Sequence, residues 1–285
     1  MKAGFWVAPE GSDTPLAILP IGGVDLSPRQ GRDGLRFLAT SDAAALVARC
    51  PRVADLLPRL ADALDRQTAT APGLIFDLGR LGEEEMRLVA DVLGEGEVAA
   101  TVALPDGVVA QIQESVMAGL WRVRFTDAGG RLVADYAEVS AVPQAVRRAA
   151  AMTLPDLEIA TPPDGAMNVL PVLAEIRDAV LSRRPGDPPR TISLTLLPMT
   201  PEDLDFLQAS LGTGPVRLVS RGYGNCRAQA TAINGVWSIQ FTNSMDTVLL
   251  DTIEIGDVPE VVSAAEEDFR DSAERLREIH EAYFV

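Results

Sequence analysis

The sequence predicts an α+β protein built from one structural unit used twice, each copy an antiparallel sheet with helices packed on one face. Three observations predict it: an internal repeat, runs of alternating apolar and polar residues joined by turn residues, and amphipathic helical segments before and after each run. The repeat emerges when the chain is slid on itself by 116 residues. Trp121-Arg-Val-Arg-Phe125-Thr126-Asp127 then falls on Trp237-Ser-Ile-Gln-Phe241-Thr242-Asn243. Gln113, Gly119, Asp135, Glu138, Val142, Pro143 and Val146 fall on identical residues Gln229, Gly235, Asp251, Glu254, Val258, Pro259 and Val262. About ten identities in about 34 ungapped positions mark two copies of one unit.

The elements follow in order. Leu56-Leu57-Pro58-Arg-Leu60-Ala61 resembles Val169-Leu170-Pro171-Val-Leu173-Ala174, so a helix precedes each unit. Leu74–Leu78 is a short apolar strand, and Glu83–Leu93 places Met86, Val89, Ala90 and Leu93 on one helical face. Gly94 and Gly96 supply the helix stop. Here the register becomes 118, and Leu93-Gly94-Glu95-Gly96 meets Leu211-Gly212-Thr213-Gly214. Val98–Ala103, Val108–Gln113, Leu120–Thr126 and Leu132–Val139 read as strands, with Asp127-Ala-Gly-Gly130 as a hairpin connection. Pro143 and Pro259 each open a closing helix.

Residues 1–40 lack sustained periodicity and are expected to form an extended or partly ordered arm. The first repeat is expected over 41–153, a Pro-rich linker holding Pro155, Pro162 and Pro163 over 154–167, and the second repeat over 168–285. The segment Val262–Tyr283 spaces Val262, Ala265, Phe269, Ala273, Leu276, Ile279 and Tyr283 three or four apart, which reads as a surface helix docked on its own domain. Trp121, Trp237, Phe125 and Phe241 read as core.

Composition removes whole classes of chemistry. Of 25 basic residues Lys2 is the only lysine, so Walker-type phosphate loops and Schiff-base lysines are absent. His280 is the only histidine, which counts against paired-histidine zinc sites and a Ser-His-Asp triad. Cys50 and Cys226 form no CxxC pair, so neither a disulfide framework nor a self-contained iron–sulfur site is expected, and a reducing cytoplasm fits. The apolar stretch PLAILPIGGV is broken by Pro15 and Pro20 and reads as neither signal peptide nor membrane span. A net charge of −16 with no basic tract argues against nucleic acid or anionic membrane as partner. Acidic groups such as Glu83-Glu84-Glu85 and Glu266-Glu267-Asp268 sit near helix N-termini, where the dipole favours them, and are not read as a metal cage. No cofactor, metal or catalytic residue is expected.

Two loops of the second copy stand out because the first copy has plain turns in their place, and added function tends to sit in diverged loops. One is Arg221, Gly222, Tyr223, Gly224, Asn225, Cys226 and Arg227, where glycines allow close backbone approach and arginines offer bidentate donors and a means of lowering the Cys226 thiol. The other is Asn243, Ser244, Met245 and Asp246. A glycine-rich turn with a small buried Cys, and an ordinary hairpin, are the structural alternatives.

At these residues the chain resembles the HupH/HyaF family of hydrogenase expression/formation proteins, encoded with uptake NiFe-hydrogenases. LGEGEV (93–98), IQESVMAGLWRV (112–123), SRGYGNCR (220–227) and NSMDTVLLDTIEIGDVPEV (243–261) carry the resemblance, which spans about residues 55–280. It implies a non-catalytic accessory chaperone or scaffold that binds the hydrogenase iron–sulfur small-subunit precursor, and possible fellow accessory proteins, in the cytoplasm and aids or protects its cluster assembly. The alternative is a thiol-dependent enzyme or iron–sulfur or metal carrier in the same pathway, using Cys226.

Overall fold

A computed structural model describes residues 43–222 and 224–284. The arm expected over 1–40 and Tyr223 lie outside the described residues. Two compact units result: one holds 105–144 and 263–284 with the described chain before Ala100, the other Ala145–Val262 with Ala100–Leu104.

The first unit carries helices α1 (Ala43–Arg49), α2 (Pro51–Asp65) and α3 (Glu83–Leu93), and strands β1 (Leu74–Asp77), β3 (Val109–Glu114), β4 (Leu120–Thr126) and β5 (Leu132–Val139). Strand β2 (Val98–Ala103) follows α3. The strand order β1-β5-β4-β3 is antiparallel throughout. The second unit repeats the plan with α4 (Gln144–Ala151), α5 (Val169–Ser182), β6 (Arg190–Ser193), α6 (Pro201–Leu211), β7 (Val216–Ser220), β8 (Asn225–Ala230), β9 (Val236–Thr242) and β10 (Val248–Ile255). Its order β7-β8-β9-β10-β6 is also antiparallel. The predicted strands and helices of the first copy are observed with shifts of one residue at β1 and β3, whereas Pro259 opens only the 3-10 turn Glu260–Val262 and the last helix starts at Glu266.

The duplication extends to individual hydrogen bonds. Gln113 Nε2 donates to the carbonyls of Gly96, Val98 and Glu114 at 3.1–3.3 Å, and Gln229 Nε2 to those of Gly214, Val216 and Ala230 at 2.9–3.2 Å. A glutamine at this position ties three backbone acceptors that would otherwise be lost at the strand start. The Ser115 hydroxyl accepts from Met117 N–H at 3.1 Å, as Thr231 does from Ile233. The helix starts are matched too: Gly82 N–H donates to Glu85 Oε2 and Thr200 N–H to Asp203 Oδ2, both at 2.9 Å, the reverse half of a capping box.

Each unit places its helices over one face of its sheet. In the first, Leu57, Leu60 and Leu64 of α2 and Leu88 and Val89 of α3 bury against Leu120, Ala137 and Val139. In the second, Leu173 and Ile176 of α5 and Leu207 and Leu211 of α6 bury against Ile192, Val236, Ile253 and Ile255. Trp121 and Trp237 are fully buried, whereas Phe125 and Phe241 near the strand ends are only half-buried.

The last helix corrects one expectation. After a 3-10 turn at Glu260–Val262, α7 (Glu266–Tyr283) runs at the expected place in sequence, with Phe269, Ala273, Leu276 and Ile279 buried. That stripe packs in the first unit, with α2, and not on the repeat that precedes it. Gly119 shows why it fits there: at φ 81° a Cβ would stand 2.4 Å from the Phe269 ring, so only glycine admits the helix. Ser272 Oγ donates to Ala118 O at 2.9 Å, and Arg277 pairs with Asp62 at 3.4 Å and Asp65 at 3.2 Å. The segment after α4 docks in the second unit, where Leu154 N–H donates to Ala232 O and Asn234 N–H to Leu154 O.

Candidate functional site

Sheet register decides where the two diverged loops lie. Ser220 pairs with Cys226, so β7 and β8 are a hairpin whose turn carries Arg221, Gly222 and Gly224. Gly224 takes φ 89° and donates its N–H to Gly222 O at 3.0 Å. The start of β8 pairs with the end of β9, Asn225 opposite Thr242 and Cys226 opposite Phe241. The β9–β10 turn therefore stands beside the β7–β8 turn at one end of the sheet. Arg227 Nη2 meets Asp246 Oδ1 at 3.2 Å and joins them.

Asn243 organises the second turn. Its Oδ1 accepts from the N–H groups of Met245 (2.9 Å) and Thr247 (3.0 Å), while Asp246 N–H donates to Asn243 O at 3.0 Å. Asp127 does the same in the first copy, accepting from Gly129 at 3.0 Å and Arg131 at 2.9 Å. The turn is thus an inherited scaffold of the kind that short polar side chains stabilise. One position differs in kind: Gly130 supplies φ 78° in the first copy, and Asp246 takes φ 56° at the equivalent place in the second. A left-handed non-glycine residue carries a conformational cost that a plain turn has no need of.

The surface of this end is mixed. Arg221, Ser244 and Asp246 are exposed, and Met245 is 80% exposed. Two features escaped sequence reasoning, Leu249 at 60% and Leu196 at 82% exposure. Leu249 is turned out by a register shift between Val248 and Leu250, which disrupts the alternation that predicts facing. Leu196 follows Thr195, whose Oγ1 accepts from Asp251 N–H at 2.8 Å and so holds the 3-10 turn Leu194–Leu196 against β10. No pattern in the sequence signals that contact.

Cys226 is turned into the core and not presented by the loop. It is 3% exposed, and burial, with the charge of Glu254 adding to it, pushes its thiol up to about 11. The expectation that the loop arginines lower it is corrected by strand alternation: Arg227 and Cys226 are neighbours on β8 and point to opposite faces. Cys50 is also buried, its thiol raised by burial first and then by Glu84 and Glu85. His280 stacks on Phe284 with ring centroids 6.0 Å apart. Among the described residues no group of three or more His, Cys, Asp or Glu could hold a metal ion, and no helix is long and apolar enough to cross a membrane. What the arrangement offers is two adjoining turns with a guanidinium, an ion pair and exposed apolar side chains.

Comparison with known proteins places this architecture. The family model for the HupH hydrogenase expression protein, C-terminal conserved region, matches twice, over residues 52–157 and 166–283. The chain is 54% identical to hydrogenase expression/formation protein HupH of Rhizobium leguminosarum bv. viciae over 284 residues, 100% of each chain. It is 37% identical to hydrogenase-1 operon protein HyaF of Escherichia coli, over 81% of each. A solved structure, hydrogenase expression protein HupH from Thiobacillus denitrificans, matches at 33% identity over 41% of this chain and 97% of that one, with a TM-score of 0.37. The duplicated α+β unit, matched twice by one family model and along its whole length by a curated relative, makes this chain a member of the HupH/HyaF family of hydrogenase expression/formation proteins.

Proposed function

We propose that the chain is a non-catalytic accessory chaperone or scaffold in the maturation of uptake NiFe-hydrogenase. It binds the iron–sulfur small-subunit precursor in the cytoplasm and aids or protects its cluster assembly. The observation that carries the reading is the full-length match to a relative named as a hydrogenase expression/formation protein. The paired turns of the second unit support it physically. Arg221, Gly222, Gly224, Asn225 and Arg227, with Asn243, Ser244, Met245 and Asp246, present donors and an apolar side chain on one exposed rim, a composition suited to gripping another protein. Tyr223 belongs to the same segment of sequence. Burial of Cys226 weighs against the thiol-dependent alternative, because a thiol held near 11 is almost wholly protonated at neutral pH and is a poor nucleophile or ligand.

The test is co-purification of the tagged chain from cells expressing the hydrogenase, with mass spectrometry of the bound proteins. Recovery of the small-subunit precursor, reduced in an Arg221→Ala/Arg227→Ala variant that keeps its fold, is the expected result. Repeated recovery of no hydrogenase subunit and no fellow accessory protein overturns the reading.

A further inference from the structure

The repeat makes the two units templates for each other, and among the described residues one of them has a helix that the other lacks. In the first unit α7 packs with α2, where Leu57, Ala61 and Leu64 are buried to 1% exposure or less and Arg277 of α7 reaches Asp62 and Asp65. The alignment of Leu56–Ala61 with Val169–Ala174 puts Leu170, Ala174 and Arg177 of α5 at those three positions. All three are exposed, Leu170 at 43%, and Leu181 further along the helix is 62% exposed. The core-facing positions of α5, Val169, Leu173 and Ile176, are buried as in α2, so the helix is seated normally and only its outer face differs. The chain after α4 meets this helix where Asp156 pairs with Arg177 at 2.9 Å and Leu157 joins the core beneath, while Leu170 and Ala174 stay exposed.

The charges on the two helices correspond as well. Asp62 and Asp65 of α2 receive Arg277 from the covering helix. Their equivalents on α5 are Glu175 and Asp178, which share the half-exposed Arg190 of β6 at 2.9 and 3.9 Å. Two carboxylates against one guanidinium leave this rim with one negative charge in excess, beside the exposed Leu170, Ala174 and Leu181. A cationic side chain complements it.

We infer that the outward face of α5 is a docking site for an amphipathic helix of a partner protein, one with a narrow stripe of small and apolar residues flanked by arginine. The template is α7 itself, whose Phe269, Ala273, Leu276 and Ile279 form such a stripe with Arg277 at its edge. Helix-in-groove recognition needs this combination of an apolar strip read at three- and four-residue spacing and a charged rim that fixes direction. Arg177 in place of Leu64 makes the strip more polar than the one on α2, which suits an exchangeable partner better than a permanent one. The inference deepens the scaffold reading and rests on it only for the pathway from which the partner comes.

The probe is a labelled peptide of residues 266–283 titrated into the intact chain and followed by fluorescence anisotropy. Saturable binding is expected, at least tenfold weaker for an Ala174→Glu chain and for a peptide carrying Arg277→Glu. Because Ala174 is exposed, the variant should keep its circular dichroism spectrum, and Leu170→Glu serves as an independent second variant. No saturable binding overturns the inference. So does binding that neither chain variant weakens, which would mean that the peptide exchanges with α7 on α2. Self-association of the chain in light scattering that Ala174→Glu abolishes would identify a second copy as occupant, and also overturns it. No hydrogenase subunit enters this experiment, so its failure is distinct from a failed co-purification.

Discussion

Asp246 and Arg227 form an exposed ion pair at 3.2 Å, and Asp246 makes it from a left-handed backbone conformation that Gly130 occupies in the other copy. Exposed pairs contribute about 0–1 kcal/mol, no more than the conformational cost of a non-glycine residue there, so the pair is not maintained for stability. Asp246→Gly should leave the melting temperature within a few degrees of the parent or raise it slightly, because strain is relieved as the pair is lost. Retention of the hydrogenase partner should fall. Thermal unfolding and quantitative co-purification separate the two effects, and a variant that binds as well as the parent would remove this turn from the proposed contact surface.

Cys226 makes a sharper prediction about the thiol alternative. With the thiol near 11, about one molecule in a thousand is thiolate at pH 8, against roughly a quarter for a free cysteine. Alkylation by iodoacetamide should therefore be at least tenfold slower than for a free thiol until denaturant is added. Cys226→Ser should mature hydrogenase fully, since it exchanges one small buried group for another. The added hydroxyl needs a hydrogen-bond partner on the apolar side of β8, so a stability loss of about 1–2 kcal/mol is expected with no loss of function.

Much of this fold is legible in the sequence, and the illegible parts have definite causes. Trp121 and Trp237, Gln113 and Gln229, and Gly119 and Gly235 occupy positions where geometry admits few residues, so duplication left them aligned and readable. The stripe of α7 is equally readable as a buried face. Periodicity states which side of a helix is covered and not by what, so the docking of α7 in the first unit was hidden. The space that Gly119 leaves for Phe269 becomes apparent only in three dimensions. For the candidate site, the two loops are visible as divergence between copies, and their adjacency follows from the register of β8 and β9. Exposed Leu249 was concealed by the shift in β10, while the burial of Cys226 was readable in principle from its alternation with Arg227.

Asp203 tests the structural side of the duplication. Its Oδ1 accepts from the N–H groups of Met167 (2.7 Å), Asn168 (2.9 Å) and Val169 (3.0 Å), and its Oδ2 accepts from Thr200 (2.9 Å). One carboxylate thus secures the starts of both α5 and α6. Burial works against ionisation, but these N–H donors and the Thr200 hydroxyl outweigh it and hold the carboxyl below its ordinary range. Because the folded value is depressed, the contribution is present above about pH 4, the unfolded value, and is lost as pH falls through the folded value. Asp203→Ala should cost about 3–5 kcal/mol by orphaning four buried or half-buried donors, and the acid limb of the stability profile should flatten in the surviving variant. Urea titrations between pH 3 and 7 measure both.

Glu114 titrates with the opposite sign. It ends β3 at 6% exposure, and burial pushes its carboxyl up to about 7. Hydrogen bonds from Gly119, at 3.3 Å, and Val98 N–H oppose the rise, while Asp268 of α7 and Glu97 before β2 add to it. In the second copy Ala230 takes its place, so the fold does not need a carboxyl there. Between the ordinary value of 4.5 and about 7 the folded chain holds a proton that the unfolded chain has released. Stability from this group is therefore full below the lower value and declines as pH rises to 7, by about 2–3 kcal/mol in all. Glu114→Gln should remove that slope and leave the chain more stable than the parent at pH 8, where the parent must keep a buried charge close to Asp268. Hydrogen exchange of the α7 amides at pH 6 and pH 8 supplies the local readout: faster exchange at pH 8 in the parent and equal rates in the variant, after correction for intrinsic rates, are expected. A parent profile that is flat from pH 5 to 8 would show that Glu114 is ionised throughout.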